Sequence, residues 1–267
     1  MKHGVVRMVL ATAALFAAVT EAETPAAEPA PAPSSFIKDS RLDLDAVVAY
    51  FEELYRSDSS LSEAELTVTR PRRTRSLRMR VWTKGENKAL IVILAPAREK
   101  DTATLKVEKN LWNYLPRIRR TIRIPPSMML GSWMGTDFTN DDLVKESSLR
   151  DDYTYRLVGH AHDDAGWLIA FEAKPDTVGL WQRFELLVSE DGRIPVRAQY
   201  YDRRGRLSRT LHWSEVKTFD GKRVPSRLTL IPEDEKGNKT EMVYHDIDFD
   251  VDVADGTFSL STLERKR

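Results

Sequence analysis

Two histidines one residue apart, His160 and His162, fall on one face of any strand that holds them, and Asp163 and Asp164 follow directly. Imidazole and carboxylate in that order are the start of a metal site. A site needs more than two ligands, and His212 and His245 lie far along the chain. The pair therefore reads first as surface histidines, and no metal is assigned. Arginine is the other chemically loaded residue. Arg70, Arg72, Arg73, Arg75, Arg78 and Arg80 crowd around Pro71, and Arg117, Arg119, Arg120 and Arg123 form a second run. Guanidinium suits phosphate and carboxylate, so either run could meet lipid headgroups or an acidic membrane partner. The plainer reading is a solvated sheet face balanced by the chain's acids. Asp141 with Asp142 and Asp151 with Asp152 fit helix caps or solvent better than an acid–base pair.

Other chemistries lack their residues. The chain has no cysteine, so disulfides, thiolate nucleophiles, Cys-ligated zinc and iron–sulfur clusters are excluded. There is no Gly-rich phosphate loop, no Gly-x-Ser-x-Gly elbow and no His-Glu-x-x-His pair. The reading is of a protein that is no enzyme, with no catalytic residue and no cofactor. The 267 residues carry 41 Lys+Arg against 41 Asp+Glu, and zero net charge argues against a nucleic-acid binder. A hydrophobic fraction of 41% over this length is enough for a large core.

The elements that would position such groups begin late. Lys2, His3 and Arg7 precede an apolar run from Met8 to Val19, and Thr20 and Ala22 are small residues at the −3 and −1 positions of a cleavage site. Residues 1–22 thus read as a signal peptide cleaved near Ala22, the run being short of the roughly 20 apolar residues a spanning helix needs. The mature product is expected to be soluble and exported. Residues 23–40 begin with a Pro/Ala-rich stretch and read as a flexible linker. The folded domain is expected over 41–267.

Asp43 to Arg56 is a helix, with Val47, Val48, Phe51, Leu54 and Tyr55 on one face. From Ala64 the period changes to two. Leu77, Met79 and Val81 alternate with Arg78, Arg80 and Trp82, and further strands follow to Ile124 and again from Tyr153 to Phe249. Gly192, Gly205, Gly221 and Gly237 sit where hairpin turns need positive φ. Short strands joined by tight turns predict one meandering antiparallel sheet, and a large sheet must curl into a barrel or half-barrel whose inner face needs filling.

The meander is interrupted between Ile124 and Tyr153. Pro125 and Pro126 stop the strand, and Met128, Met129, Leu130, Trp133, Met134 and Phe138 crowd into the next residues with Gly131 and Gly135 among them. Thr139 and Asp142 resemble a capping box, so a short helix is expected near Asn140. So apolar a loop must be buried or must bind something apolar. It either plugs the open sheet or serves as a lid over a lipid site.

Trp112, Tyr114, Leu115 and Pro116 are followed by Met129 and the string from Gly131 to Asp142. In these residues the chain resembles the outer-membrane lipoprotein-sorting proteins of the LolA-like superfamily. Tyr153 to Tyr155 and Phe258 to Leu263 are also similar. The likeness covers roughly residues 43–263. It implies a mainly β (α+β) fold: a single strongly curved antiparallel sheet forming an unclosed half-barrel, with short helices and an apolar loop over its concave face. It also implies a periplasmic carrier that binds lipid or lipoprotein acyl chains, for lipoprotein sorting or lipid trafficking in a Gram-negative envelope. Its partners would be an inner-membrane transporter and an outer-membrane acceptor, with the carrier itself a monomer. The alternative is a non-enzymatic envelope interaction or sensor module, or an accessory protein of an inner-membrane exporter. For a carrier, the residues expected to line or cover the cavity are Trp82, Trp112, Tyr114, Met128, Met129, Leu130, Trp133, Met134 and Phe138. Trp112 and Tyr114 share parity and hence one face of their strand.

Overall fold

Period-two alternation becomes strand after strand in the computed structural model, which describes residues 36–38, 41–145, 149–161, 166–175, 177 and 181–264. The expected leader, most of the linker, and His162, Asp163 and Asp164 lie outside the described residues. The first elements are a two-residue ladder, β1 (Ile37–Lys38) with β2 (Arg41–Leu42), and helix α1 (Leu44–Glu53). Asp43 caps α1, its Oδ1 accepting from the Ala46 backbone N–H at 3.2 Å. The described fold thus includes Phe36, inside the stretch read as linker. Phe36 is buried, stacks at a tilt on Tyr50 at 5.2 Å and donates its N–H to the Asp191 carbonyl.

Six strands then meander: β3 (Ser59–Arg70), β4 (Arg73–Lys84), β5 (Lys88–Ala95), β6 (Ala103–Val107), β7 (Asn110–Leu115) and β8 (Arg120–Arg123). After the interruption, with short helices α2 (Asn140–Lys145) and α3 (Leu149–Asp152), seven more follow. These are β9 (Tyr153–Ala161), β10 (Gly166–Ala173), β11 (Arg183–Ser189), β12 (Pro195–Tyr201), β13 (Leu207–Phe219), β14 (Lys222–Pro232) and β15 (Lys239–Phe249). The chain ends on a 3-10 turn at Asp255–Phe258 and α4 (Leu260–Glu264). The four turn glycines have φ of 73°, 73°, 77° and 83°, as the hairpins require.

From β3 to β15 there is one antiparallel sheet of 13 strands, ordered β8-β7-β6-β5-β4-β3-β15-β14-β13-β12-β11-β10-β9. The chain starts at the centre in β3 and walks out to the edge at β8. It then re-enters at the opposite edge in β9 and walks back until β15 pairs with β3. The edges β8 and β9 do not meet, so the sheet is curled but unclosed, as expected. Residues 124–152 connect the two edge strands in sequence.

Strand parity sorts the core. Ala64, Leu66 and Val68 of β3, Leu77 and Met79 of β4, Ile93 of β5 and Leu228 and Leu230 of β14 form the central inner cluster. Val47 and Val48 of α1 extend it over Ile169, Phe171, Phe184 and Ala198 in the β10–β12 half. The opposite parity on β5 and β6, Leu90, Val92, Ala103 and Leu105, faces outward and is covered by Val253, Phe258 and Leu263 from the chain's end. β5 is apolar at both parities because both of its faces are covered.

Candidate functional site

The inner face of the sheet is the candidate site, and segment 124–145 occupies it. The Ile124 N–H bonds the Leu111 carbonyl, after which Pro125 leads into a 3-10 turn at Pro126–Met128. Ser132 and Thr139 then pair as an isolated antiparallel bridge, and the Trp133 N–H donates to the Phe138 carbonyl at 2.8 Å. Positive φ at Met134 and Gly135, 50° and 73°, makes this tight hairpin possible. Its apex drives Trp133 into the core, where the indole is 2% exposed and Nε1 donates to Thr104 Oγ1 on β6 at 3.1 Å. Met134, Phe138 and Leu143 pack on the same inner cluster. Thr139 and Asp142 form the reciprocal capping box read from the sequence, with the Thr139 N–H on Asp142 Oδ2 at 2.7 Å and the Asp142 N–H on Thr139 Oγ1 at 3.1 Å.

Three charged attachments hold this cover. Arg70 meets Asp137 with two nitrogens at 2.9 and 3.0 Å, while Thr240 Oγ1 donates to Asp137 Oδ2 at 2.6 Å. Arg75 donates to the Met134 carbonyl. Arg209 on β13 grips Asp142 bidentately at 2.6 and 2.7 Å, and its guanidinium lies 4.2 Å from the Trp181 ring centroid and 4.5 Å from that of Tyr200. Burial by itself would raise the Asp142 pKa, but the Arg209 charge and hydrogen bonds, with those of Thr139, hold it below the usual carboxylate value. The Arg209 pKa moves up: burial opposes the charge, and Asp142 more than compensates. The attachments reach β3, β4, β13 and β15, so the segment is fastened across the width of the sheet's centre.

Beside this cover lies a cavity of about 80 Å³. Its apolar wall includes Val81, Ile91, Leu111, Leu143 and Tyr244, and its polar wall Ser60, Ser62, Thr83, Thr104 and Lys106. Lys106 is 6% exposed and donates to the Glu86 carbonyl at 3.0 Å. Tyr55, at the end of α1, stacks on Tyr244 at 5.0 Å and closes one side. The volume admits a few methylene groups or waters and is below the roughly 300 Å³ at which small-molecule sites begin.

The nine residues expected to line one cavity are separated by the fold. Trp133, Met134 and Phe138 reach the inner core, and Met129 is half-buried. Met128 and Leu130 point to solvent, 57% and 48% exposed. Trp82, Trp112 and Tyr114 pack on the outer face beneath the C-terminal segment, so they do not share a volume with Trp133. Trp112 and Tyr114 share a face, as their parity requires, and that face is the outer one. Sequence reading missed the cavity's hydroxyls and Lys106. Their signal was the alternation Ser60–Ser62 and Thr104–Lys106, polar residues on the parity that faces the inner side.

Of the histidine motif, His160 is described. His160 Nε2 lies 2.8 and 2.9 Å from the two Glu190 carboxylate oxygens, and the ring stands edge-on to Trp167 at 4.9 Å. Among the described residues no group of three or more His, Asp or Glu side chains is placed to hold a metal. No described helix is long and apolar enough to cross a membrane.

Unclosed sheets of this form recur in solved structures. A DUF1329 family protein from Desulfovibrio piger matches with a TM-score of 0.73 at 24% identity, covering 81% of this chain and 96% of that one. A domain described as an outer membrane lipoprotein-sorting protein, from Vibrio parahaemolyticus, matches with a TM-score of 0.69 at 19% identity, covering 80% and 95%. A LolA superfamily protein from Nitrosomonas europaea matches with a TM-score of 0.69 at 21% identity, covering 82% and 98%. At such identities these likenesses establish the fold alone: an unclosed antiparallel sheet like those of the three proteins, as the string around Trp133 implied. A family model described only as an uncharacterized protein matches residues 85–265, more than half of the chain, and the chain belongs to that family. Among curated proteins none matches.

Proposed function

We propose that this protein is a non-enzymatic periplasmic carrier, exported by its N-terminal leader, which takes an acyl chain of a lipid or lipoprotein against the inner face of the sheet. One observation carries the reading. The apolar inner face is covered by segment 124–145, which is fastened by a few side-chain attachments. Such a cover can leave without unpicking a single strand pair. Withdrawal of Trp133, Met134 and Phe138 would expose an apolar trough that an acyl chain can occupy, at about 0.8 kcal/mol per buried CH₂. The likeness to lipoprotein-sorting folds supports the same reading.

The cavity's size favours a second reading. About 80 Å³ is too little for an acyl chain, so a protein whose cover never moved would be an interaction or sensor module. The distinguishing experiment is native mass spectrometry with lipid extraction, on protein purified from the periplasm without detergent. The carrier reading expects a stoichiometric acyl-bearing adduct that is lost when Trp133 and Met134 are replaced by Gln. Apo protein from a lipid-rich host would support the interaction module and overturn the carrier.

A further inference from the structure

From Lys109 to Thr136 the chain holds five basic residues and no acidic one, in a protein of zero net charge. The centre of this stretch is the β7–β8 hairpin. Arg117, Ile118, Arg119 and Arg120 at its turn are all exposed, as are Ile122 and Arg123. Arg123 donates to Asn110 Oδ1, whereas Arg117, Arg119 and Arg120 have no acidic partner among the described residues. Among the described residues seven large apolar side chains stand out into solvent, and four of them, Ile118, Ile122, Met128 and Leu130, lie within this same basic stretch. The clustering is not a general property of the surface. The acidic group bonded to the hairpin, Glu264, accepts from Thr121 at 3.0 Å and belongs to α4.

We propose that the β7–β8 hairpin, with the adjoining turn at Met128–Leu130, is a docking surface for an anionic phospholipid membrane. β8 is an edge strand, and arginines on an edge guard against strand addition. Guarding gives no reason for isoleucine at the tip and in the strand between them. Isoleucine and methionine interleaved with arginine suit a lipid interface: the apolar groups enter the acyl boundary while guanidinium groups stay among phosphates, their stems lying along apolar surface. A protein partner fits less well. A stable protein interface covers about 800 Å² on each side with an apolar centre and a polar rim. Here charge and apolar groups alternate along one narrow hairpin.

The test is co-sedimentation of the full mature chain with vesicles of phosphatidylcholine alone, and of phosphatidylcholine with phosphatidylglycerol. The wild type is expected to bind only the anionic vesicles and to be released by high salt. Arg117→Ser/Arg119→Ser/Arg120→Ser should lower the bound fraction at least tenfold. Ile118→Ser/Ile122→Ser should lower it several-fold at low salt. Arg72→Ser/Arg73→Ser, in the exposed β3–β4 turn, should change it less than twofold. Each variant's urea midpoint, expected at the wild-type value, shows that it is folded. Failure of the wild type to bind, equal binding to both vesicles, or equal losses in the hairpin and β3–β4 variants would each overturn the proposal. Capture of an acidic protein by a wild type that ignores vesicles would replace the membrane with that class of partner.

Discussion

The two arginine runs look alike in the sequence and have opposite fates in the fold. Apart from Arg72 in the turn, those between Arg70 and Arg80 lie on two long paired strands, where period two sends alternate side chains to opposite faces. Arg70 and Arg75 turn inward and hold the cover, by Asp137 and the Met134 carbonyl. Arg78 and Arg80 turn outward, and both pair with Glu63, holding that carboxyl below its usual pKa through the Arg80 hydrogen bond first and then that of Arg78. The run from Arg117 to Arg123 sits at a hairpin tip on the sheet's edge, where Arg117, Arg119 and Arg120 meet no described acid. Charge density along a sequence therefore says little by itself. A strand's partners decide whether an arginine is an attachment or a free cation.

The sharpest way to break this comparison is to remove an attachment. Arg209 belongs to neither run but works as Arg70 does, and it is the most buried of the three. Arg209→Leu leaves Asp142 without its partner and should destabilise the fold by about 4 kcal/mol, read from urea unfolding. Arg70→Leu, at a more exposed pair, should cost about 2 kcal/mol and shift Trp133 emission to the red as the cover loosens. Either substitution leaving stability unchanged would remove the attachments from the account.

The pH dependence is next in size. The folded Asp142 pKa lies below its unfolded value, so its contribution is present above the unfolded pKa of about 3.9 and is lost as pH falls through the folded one. The Asp142 contribution should therefore show as a fall of the urea midpoint below about pH 4. Arg209→Leu should flatten that acid fall. On the outer face, Glu63→Gln removes an exposed cluster and should cost no more than about 1 kcal/mol. At the bottom of the scale, Arg117→Ser should leave stability within about 0.5 kcal/mol. A large loss there would mean that the hairpin arginines are attachments after all.

Much of this organisation was legible in the residues. The turn glycines, the helix from Asp43, the long interruption and the capping box of Thr139 and Asp142 each depend on neighbours a few residues apart, and each formed where expected. What was hidden depends on distant partners. Alternation states that Trp82 and Met79 face opposite ways, but not which way is inward. Trp82, Trp112 and Tyr114 were placed with Trp133 because nothing local reveals that Val253, Phe258 and Leu263 return to cover the outer face of β4–β7. For the same reason Phe36 read as linker: its partners, Tyr50 and Asp191, come later in the chain. The choice between plug and lid is open in the sequence because both bury the same Trp133 and Met134.

That choice is the account's central claim, and the absence of cysteine makes it testable by a lock. Asp137 and Thr240 touch across the cover and β15, so Asp137→Cys/Thr240→Cys can tie segment 124–145 to the sheet by a reversible disulfide. Binding of a fluorescent fatty acid would be measured with the variant oxidised and then reduced. The account predicts stoichiometric binding when reduced and at least a tenfold weaker affinity when oxidised. Equal binding in both states would contradict it, since the acyl chain would then enter without moving the cover.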